Sequence, residues 1–178
     1  MSKVVIISGS PNPGSRLEGI TNYVEGKLTA QSISYHHIQV ASLPAEDLIH
    51  ARFDSPAIVE AAALVDAADI VIIASPVYKA SFTGVLKTFL DLLPQKGLSG
   101  KFVTPLFIGG TIAHLLAIDY SLKPILSSLN AKNFGSSVYA IDSQIARVDA
   151  GAFELVDELK ERLDNVVTEI SDELAKRS

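Results

Sequence analysis

A loop rich in hydroxyl groups and glycine follows the first apolar segment of the chain. It reads GSPNPGSR over residues 9–16, and its polar side chains are those of Ser10, Asn12, Ser15 and Arg16. Hydroxyl groups, the free N–H groups of a helix N-terminus and a nearby cation together bind small anions such as phosphate. The loop therefore predicts a phosphate site. An ordinary strand-to-helix turn with a serine cap fits the same residues.

The loop matches neither of the two common nucleotide-binding motifs. Gly9 and Gly14 have the separation of the Walker A glycines. However, Ser15 and Arg16 occupy the positions where that motif requires Lys followed by Ser or Thr. The three glycines of the dinucleotide fingerprint are also missing. What the residues predict is a loop that leads into a helix and can bind an anion there.

A second loop, SPVYKASFTG over residues 75–84, suits a flat ligand. Pro76 stiffens the chain, and the ring of Tyr78 can lie beside a planar heterocycle. Thr83 is positioned to cap the helix that is predicted to begin after it. The alternative is that Tyr78 and Phe82 only pack the loop.

A third loop, IGGTIAHL over residues 108–115, contains paired glycines at the end of an apolar run. Gly109 and Gly110 allow the backbone to approach a ligand closely and leave N–H groups free to bind it. A tight turn capped by Thr111 requires the same glycines. His114 is interpreted as a surface or interface residue and not as a catalyst.

Short runs of β-branched apolar residues predict the strands that carry these loops. The three strongest are KVVIIS at 3–8, DIVIIAS at 69–75 and KFVTPLFI at 101–108. None alternates apolar with polar residues, which is typical of parallel strands covered by helices on both faces. Weaker strands are predicted at 32–40, an alternating edge strand, and at 136–141.

Helical periodicity fills the intervening segments. Helices are predicted over residues 16–30, 56–67, 84–93, 112–129 and 151–177. The alternation of strands and helices predicts an α/β fold with a doubly wound, five-stranded parallel sheet in the order 2-1-3-4-5, flanked by helices. Because there is no linker or internal repeat, residues 1–178 are interpreted as a single domain.

Two prolines conflict with this assignment. Pro105 lies within a predicted central strand, where it removes a donor from the hydrogen-bond ladder, and it predicts a bulge. Pro124 lies within the predicted helix 112–129 and is expected to bend or break it.

The predicted topology brings the three loops together. In doubly wound sheets, ligands bind beyond the carboxyl ends of the strands, near the point where the strand order reverses. That point lies between the first and third strands, so the loops after Ile7, Ala74 and Ile108 belong to one predicted site. One loop suits a phosphate and two suit a flat heterocycle. Flavin mononucleotide (FMN) has both.

Composition narrows the class of protein. A net charge of −5 argues against nucleic acid as a partner, and the lack of cysteine excludes thiolate catalysis and cysteine-ligated metals. Because no apolar run reaches about 18 residues, no membrane span is predicted. We therefore expect a cytoplasmic protein with no membrane partner. His36 and His37 are adjacent on a predicted strand, so their side chains face opposite ways and predict no metal site.

Longer stretches of the chain resemble one family. They are GSP…SR (9–16), AEDLIHARFDSPA (45–57), SPVYKASFTGVLKTFLDLLP (75–94), GGTIAHLLAIDYSLKPILSSL (109–129) and DSQI (142–145). With them the sequence resembles the flavodoxin-like NAD(P)H-dependent FMN reductases, in particular the reductase of two-component alkanesulfonate monooxygenase systems. The resemblance implies an enzyme that transfers hydride from NADPH to FMN. It also implies delivery of reduced flavin to a partner monooxygenase that serves sulfur assimilation from sulfonates.

The resemblance further implies nine flavin-binding residues, three in each loop. These are Ser10, Ser15 and Arg16 at the phosphate, Pro76, Val77 and Tyr78 beside the isoalloxazine, and the backbone of Gly109, Gly110 and Thr111. No catalytic acid or base is implied, because the enzyme positions nicotinamide against flavin and the cofactors carry out the hydride chemistry. Tyr120 matches an inserted tyrosine that forms a π-bulge at a tetramer interface in members related to the sulfonate system.

Three functions remain open on the sequence alone. A reductase that treats FMN as a substrate is the first, and Glu18 favours it because a carboxylate near the phosphate weakens flavin binding unless it points to solvent. The second is a reductase of quinones or azo dyes that keeps its FMN. The third is a flavodoxin-type electron carrier, which the lack of tryptophan and the modest acidity disfavour.

Overall fold

A parallel sheet lies at the centre of the protein in a computed structural model that describes residues 3–148 and 151–177. Its strands are β1 (Val4–Ser8), β2 (Tyr35–Gln39), β3 (Ile70–Pro76), β4 (Phe102–Gly109), β5 (Asn133–Phe134) and β6 (Val138–Ile141). The spatial order is β2-β1-β3-β4, and both β5 and β6 pair with β4 in parallel. The predicted order 2-1-3-4-5 is therefore confirmed, with the fifth position divided between two short strands.

Helices connect the strands and cover both faces of the sheet. They are α1 (Arg16–Ala30), α2 (Ala45–Ile49), α3 (Pro56–Ala67), α4 (Gly84–Leu90), α5 (Lys123–Ser128) and α6 (Asp157–Arg177). Successive residues of a strand point to opposite faces. Val4 and Ile6 accordingly pack in the same core as α1 and α6, whereas Val5 and Ile7 pack in the core that contains α3 and α4. This burial on both faces explains the uninterrupted apolar runs.

Pro105 marks the expected bulge. Val103 pairs with Phe134 and Leu106 pairs with Val138, so the edge chain has one residue more than β4 between these two pairs. Val103 accepts a hydrogen bond from the N–H of Gly135 at 3.0 Å, so the backbone groups of Val103 face the edge chain. Residues two apart in a strand direct their backbone groups to the same side, so the nitrogen of Pro105 faces the break between β5 and β6. The missing proline donor therefore falls where the ladder is already interrupted.

The prediction of one regular helix over 112–129 is wrong, because three different helical segments occupy this stretch. A 3₁₀ turn spans Ile112–His114, a π-helical turn spans Ile118–Leu122, and α5 follows. Pro124 lies in the first turn of α5, directly after the π-helical turn, so the donor that proline lacks falls where the helical hydrogen-bond pattern changes. Tyr120 lies in the π-helical turn, so the π-bulge implied by the resemblance is present.

The predicted C-terminal helix at 151–177 begins too early. Residues Phe153–Leu155 form a strand, β8, which pairs antiparallel with β7 (Ile145–Arg147), and α6 begins only at Asp157. Phe153 had suitable helical spacing, but it packs against Gly19 of α1 from the strand. Helix α4 is also shorter than predicted and ends at Leu90.

Two further observations concern the described residues only. No helix among them is both long and apolar enough to cross a membrane. No group of three or more His, Asp or Glu side chains within 3–148 and 151–177 is arranged to hold a metal ion. Residues 1–2, 149–150 and 178, which the single-domain prediction includes, lie outside the described part of the chain.

Candidate functional site

The three predicted loops begin at neighbouring strand ends. Ser8 at the end of β1 pairs with Ala74 of β3, and Pro76 at the end of β3 pairs with Ile108 of β4. The loops that follow these strands therefore lie side by side at the carboxyl edge of the sheet. This confirms the prediction that all three loops lie at one edge of the sheet.

A buried threonine holds the first two loops together. Thr83 Oγ1 donates a hydrogen bond to the carbonyl oxygen of Gly9 at 2.5 Å and accepts one from the N–H of Leu86 at 3.1 Å. Its own N–H donates to Ser75 Oγ at 3.1 Å, and the residue is 2% exposed. The predicted helix cap is thus confirmed. The same hydroxyl also fixes the first loop against the second, which the sequence did not predict.

The first loop presents hydroxyl groups that its helix does not use. Ser15 is the N-cap of α1, but its side chain makes no capping hydrogen bond. Instead, Ser10 Oγ donates to Ser15 Oγ at 2.9 Å. Arg16 Nε donates to the carbonyl oxygen of Ile145 at 2.9 Å, which anchors the guanidinium on β7. Two hydroxyls and one anchored cation therefore stand at the start of α1.

Glu18 enters this loop and does not extend into solvent. Its Oε1 accepts a hydrogen bond from the N–H of Gly14 at 2.7 Å, and the residue is half-buried. Gly14 has a φ of +69°, a left-handed conformation that places its N–H toward the helix start. The loop therefore already binds one carboxylate through a backbone N–H, which is the interaction expected of a phosphate.

The second loop contains a tight turn that the sequence did not reveal. The N–H and carbonyl groups of Tyr78 and Ser81 bond each other at 2.9 and 3.2 Å, and the two central residues, Lys79 and Ala80, have φ values of +51° and +63°. This conformation normally requires Asn or Gly. The turn leaves Tyr78 48% exposed at the carboxyl edge. Strained backbone of this kind is concentrated at functional sites.

The third loop approaches its neighbours too closely for any side chain at Gly109. A Cβ atom at Gly109 would overlap the hydroxyl oxygen of Tyr139 and lie 3.5 Å from Val77 Cβ. Tyr139 donates a hydrogen bond to the carbonyl oxygen of Thr111 at 2.8 Å, which fixes the loop. Burial, together with the nearby carboxylate of Asp142, raises the pKa of Tyr139, so it remains a donor at neutral pH.

The third loop also leads into the π-helical turn. Ser81 Oγ donates to Ser121 Oγ at 3.1 Å, and Ser121 Oγ donates to the carbonyl oxygen of Ala117 at 2.6 Å. The turn that bears Tyr78 is therefore bonded to the turn that bears Tyr120. His114 is exposed, as predicted.

The structure places all nine predicted site residues on these three loops or at the strand ends before them. The assignment of each one to FMN stays a prediction. Sequence reasoning missed the inward position of Glu18, the turn at Lys79 and Ala80, and the support from Tyr139. Only Glu18 gave a local signal, because its position is that of the acidic partner in a helix capping box.

Comparison with known proteins identifies the family. Residues 2–146 match a family described as NADPH-dependent FMN reductase. The chain belongs to this family. Among its relatives is an FMN reductase (NADPH) of Escherichia coli, 46% identical over 143 residues, which cover 80% of this chain and 75% of the relative. An FMN reductase (NADPH) of Pseudomonas putida is 45% identical over 175 residues, covering 98% of this chain and 89% of the relative.

A solved structure from the same group of enzymes is also similar. The apo form of the NADH:FMN oxidoreductase EMOB is 34% identical and superposes with a TM-score of 0.85. The match covers 98% of this chain and 90% of that one. These FMN reductases thus include an enzyme named for NADH as well as enzymes named for NADPH.

Proposed function

We propose that this protein is an NADPH-dependent FMN reductase that transfers hydride from NADPH to FMN and releases the reduced flavin. The observation that carries this proposal is the meeting of an anion-binding loop and two close-approach backbone loops at the carboxyl edge of β1, β3 and β4. The family match over residues 2–146 supports it.

The residues present fit FMN. The N–H of Gly14 already donates a hydrogen bond to the carboxylate of Glu18, and the hydroxyls of Ser10 and Ser15 are not used by the helix. Gly110 is exposed, and an added Cβ there would meet only Asp142 at 3.8 Å, so its backbone is open to a ring system. The phosphate would be held by Ser10, Ser15 and Arg16, and the ring system by Pro76, Val77, Tyr78 and the backbone of Gly109, Gly110 and Thr111.

The role of the chain in this reaction is positioning. Bound FMN supplies the atom that accepts the hydride from nicotinamide. The nine residues provide hydroxyl groups, one cation, apolar surface and backbone N–H groups, and none of these acts as a proton donor or acceptor in the step. Thr83 and Tyr139 hold the loops in fixed positions. These loops would hold the flavin in the orientation that hydride transfer from nicotinamide requires.

The position of Glu18 supports a flavin that is a substrate and not a permanent cofactor. Its carboxylate lies on the loop that is proposed to bind the phosphate, so the two negative charges repel each other. Weak binding suits a product that must leave the enzyme. We infer that the reduced FMN passes to a flavin-dependent monooxygenase, in the cytoplasm, in a sulfonate-processing system.

The exposed apolar side chains around the π-helical turn support a homotetramer. Ile112, Leu115, Leu116 and Tyr120 are 59%, 47%, 56% and 79% exposed within one short segment. Clusters of this kind mark interaction sites on proteins that otherwise bury such groups. A second copy of the chain is the proposed occupant.

The test of the proposed function compares FMN with riboflavin, which lacks the phosphate. NADPH oxidation should proceed steadily with added FMN. Arg16→Gln should raise the FMN dissociation constant about 10–100-fold, the loss expected for a charge-assisted hydrogen bond, and leave riboflavin binding unchanged. Fluorescence titration measures both constants.

Lys132→Gln is the control, because it makes the same change in net charge at an exposed position. Lys132 directly precedes β5, at the amino edge of the sheet and away from the carboxyl edge that carries the proposed site. An equal loss for FMN and riboflavin in Arg16→Gln would contradict the phosphate assignment. Flavin that copurifies at stoichiometric amounts, with ping-pong turnover of quinones, would favour the quinone or azo reductase. No steady NADPH oxidation with excess FMN would favour the electron carrier.

A further inference from the structure

A serine, a histidine and a glutamate that are not among the nine proposed flavin-binding residues form a linear hydrogen-bonded set. His37 Nε2 lies 3.0 Å from Ser8 Oγ, and His37 Nδ1 lies 2.6 Å from Glu25 Oε1. The three residues come from the end of β1, the middle of β2 and the middle of α1. His37 and Glu25 side chains are 14% and 19% exposed, so the set is largely shielded from water.

The carboxylate determines the form of the imidazole. An ionised Glu25 can only accept, so Nδ1 carries the proton in the short bond to Glu25. In the neutral ring, Nε2 is then an acceptor, and Ser8 Oγ–H is the donor that points at it. This is the arrangement of nucleophile, general base and orienting carboxylate that activates serine in hydrolases of unrelated folds.

The serine faces a cavity of about 200 Å³. The cavity is lined by residues of the first loop, the first turns of α1 and the segment after β2, and Ser8, Leu17, Thr21, Gln39, Ala41 and Ser42 are among them. Ser8 lies on the same face of β1 as Ile6, which packs in the core that contains α1 and α6. The cavity therefore lies on the β2 side of the phosphate loop. It shares Ser10 with the proposed phosphate site, and its lining includes no residue of the second or third loop.

We propose that Ser8 is a nucleophile that takes an acyl group from small neutral esters. Ser8 Oγ attacks the ester carbonyl carbon while its proton passes to His37 Nε2. The carbon–oxygen bond to the leaving alcohol then breaks, and the alcohol takes that proton. Water releases the acyl group from Ser8 by the same transfers, so the net reaction is ester plus water to acid plus alcohol, without oxidation or reduction.

The lining restricts the substrate. An acyl group of two to four carbons fits the volume, whereas Glu18 at the wall disfavours an anionic ester. Asn12 and Gln39 line the same cavity. Their side-chain amides would supply the N–H donors for the oxyanion. Glu25 touches no substrate and acts as a positioning residue, because it only fixes the tautomer of His37.

The test uses the full chain with p-nitrophenyl acetate and with a fluorophosphonate probe. Wild type should hydrolyse the ester and be labelled on the peptide that contains Ser8, as located by mass spectrometry. Ser8→Ala should abolish the label, and His37→Asn should slow labelling by about 100-fold or more. Ser127→Ala is the control, because it removes an exposed serine hydroxyl from α5, which does not line the cavity, and it should label normally.

The role of Glu25 has a separate readout. The ¹⁵N shifts of His37 should show the proton on Nδ1 in wild type and a mixture of tautomers in Glu25→Ala. A wild-type protein that takes no label at Ser8, or that is labelled equally at Ser127, would overturn the proposal and leave the set as a structural network. The wild-type labelling decides the matter even if a variant does not fold.

Discussion

At the residue scale, the first loop is distinguished by the acidic side chain within it. Glu18 bonds the N–H of Gly14, and it stands in the first turn of α1, where a negative charge is favoured by the helix dipole. The same features attract a phosphate. A single carboxylate can therefore stabilise the empty loop and weaken the bound flavin.

Glu18→Gln should bind FMN more tightly. Glutamine keeps the acceptor for Gly14 and removes the charge, so the FMN dissociation constant should fall about 3–10-fold, while that of riboflavin stays the same. Equilibrium dialysis of both flavins measures the two constants. Glu60→Gln, at an exposed position on α3, serves as the charge-matched control. Weaker FMN binding in Glu18→Gln would show that the carboxylate does not compete with the phosphate.

At the element scale, the first loop depends on a close contact with α4. A Cβ atom at Gly9 would overlap Leu86 Cβ and lie 3.1 Å from its Cα, which belongs to the helix backbone. Gly26, in contrast, is exposed in the middle of α1 with nothing within 4 Å of an added Cβ. The two glycines therefore have opposite roles in the stability of their elements.

Substitution of each glycine by alanine should move stability in opposite directions. Gly9→Ala should lower the free energy of unfolding by about 1–3 kcal/mol through overpacking. Gly26→Ala should raise it by about 1 kcal/mol, because alanine is the better helix former. Urea unfolding monitored by circular dichroism measures both. A neutral Gly9→Ala would show that the loop and α4 can separate freely.

The C-terminus of α3 is held by a buried lysine that directly precedes β4, at the amino edge of the sheet. Lys101 Nζ donates to the carbonyl oxygens of Asp66 and Ala68, both at 2.7 Å, and the residue is 8% exposed. Burial lowers the pKa of Lys101 below its usual 10.5, although Asp66 and Asp69 oppose this shift. The lysine closes the helix at the cost of desolvating its charge.

Lys101→Met should lower the free energy of unfolding by about 1–3 kcal/mol at pH 7, because two carbonyl groups lose their partner. Between the lowered pKa and 10.5 the unfolded chain binds more protons than the folded one, so the contribution of Lys101 to stability rises with pH in that window. The difference between wild type and variant should therefore grow as the pH approaches 10.5. Urea titrations at stepped alkaline pH measure it. A difference that shrinks would contradict the direction of the shift, and the raised pKa of Tyr139 cancels because both proteins contain it.

At the scale of the whole molecule, the π-helical turn connects the surface to the proposed flavin site. Tyr120 is 79% exposed, and the next residue, Ser121, bonds Ser81 of the turn that bears Tyr78. An interface formed through Tyr120 is therefore one hydrogen bond away from the second loop. Assembly and flavin release are expected to depend on the same segment.

Tyr120→Ala should weaken the assembly of the proposed tetramer by about tenfold or more in dissociation constant, since exposed aromatic side chains dominate interface energies. Light scattering after size exclusion, over a range of protein concentrations, measures the mass. Val156→Ala, which trims an apolar residue 43% exposed just before α6, is the control. An unchanged mass and unchanged flavin retention would exclude this role for Tyr120.

Local patterns were sufficient for the fold and for the meeting of the three loops at one edge of the sheet. The apolar runs at β1, β3 and β4 reflect burial on both faces, and the loops after them fall at one edge because parallel strands end together. They were not sufficient for two segments beyond residue 111, although the strand at 138–141 and the helix at 157–177 were predicted. There the π-helical turn divides one predicted helix, and Phe153 forms a strand because it packs on Gly19, far away in the sequence.

The sequence by itself determined the class of fold, the edge that carries the site and the types of residue in its loops, because periodicity and turn chemistry act over a few neighbouring residues. Only the tertiary structure decided which side chains meet. Arg16 reaches Ile145 of β7, Tyr139 holds Thr111, and His37 joins Ser8 to Glu25. These contacts depend on how α1 and the neighbouring strands pack against one another, and packing orients a side chain in ways that no local pattern specifies.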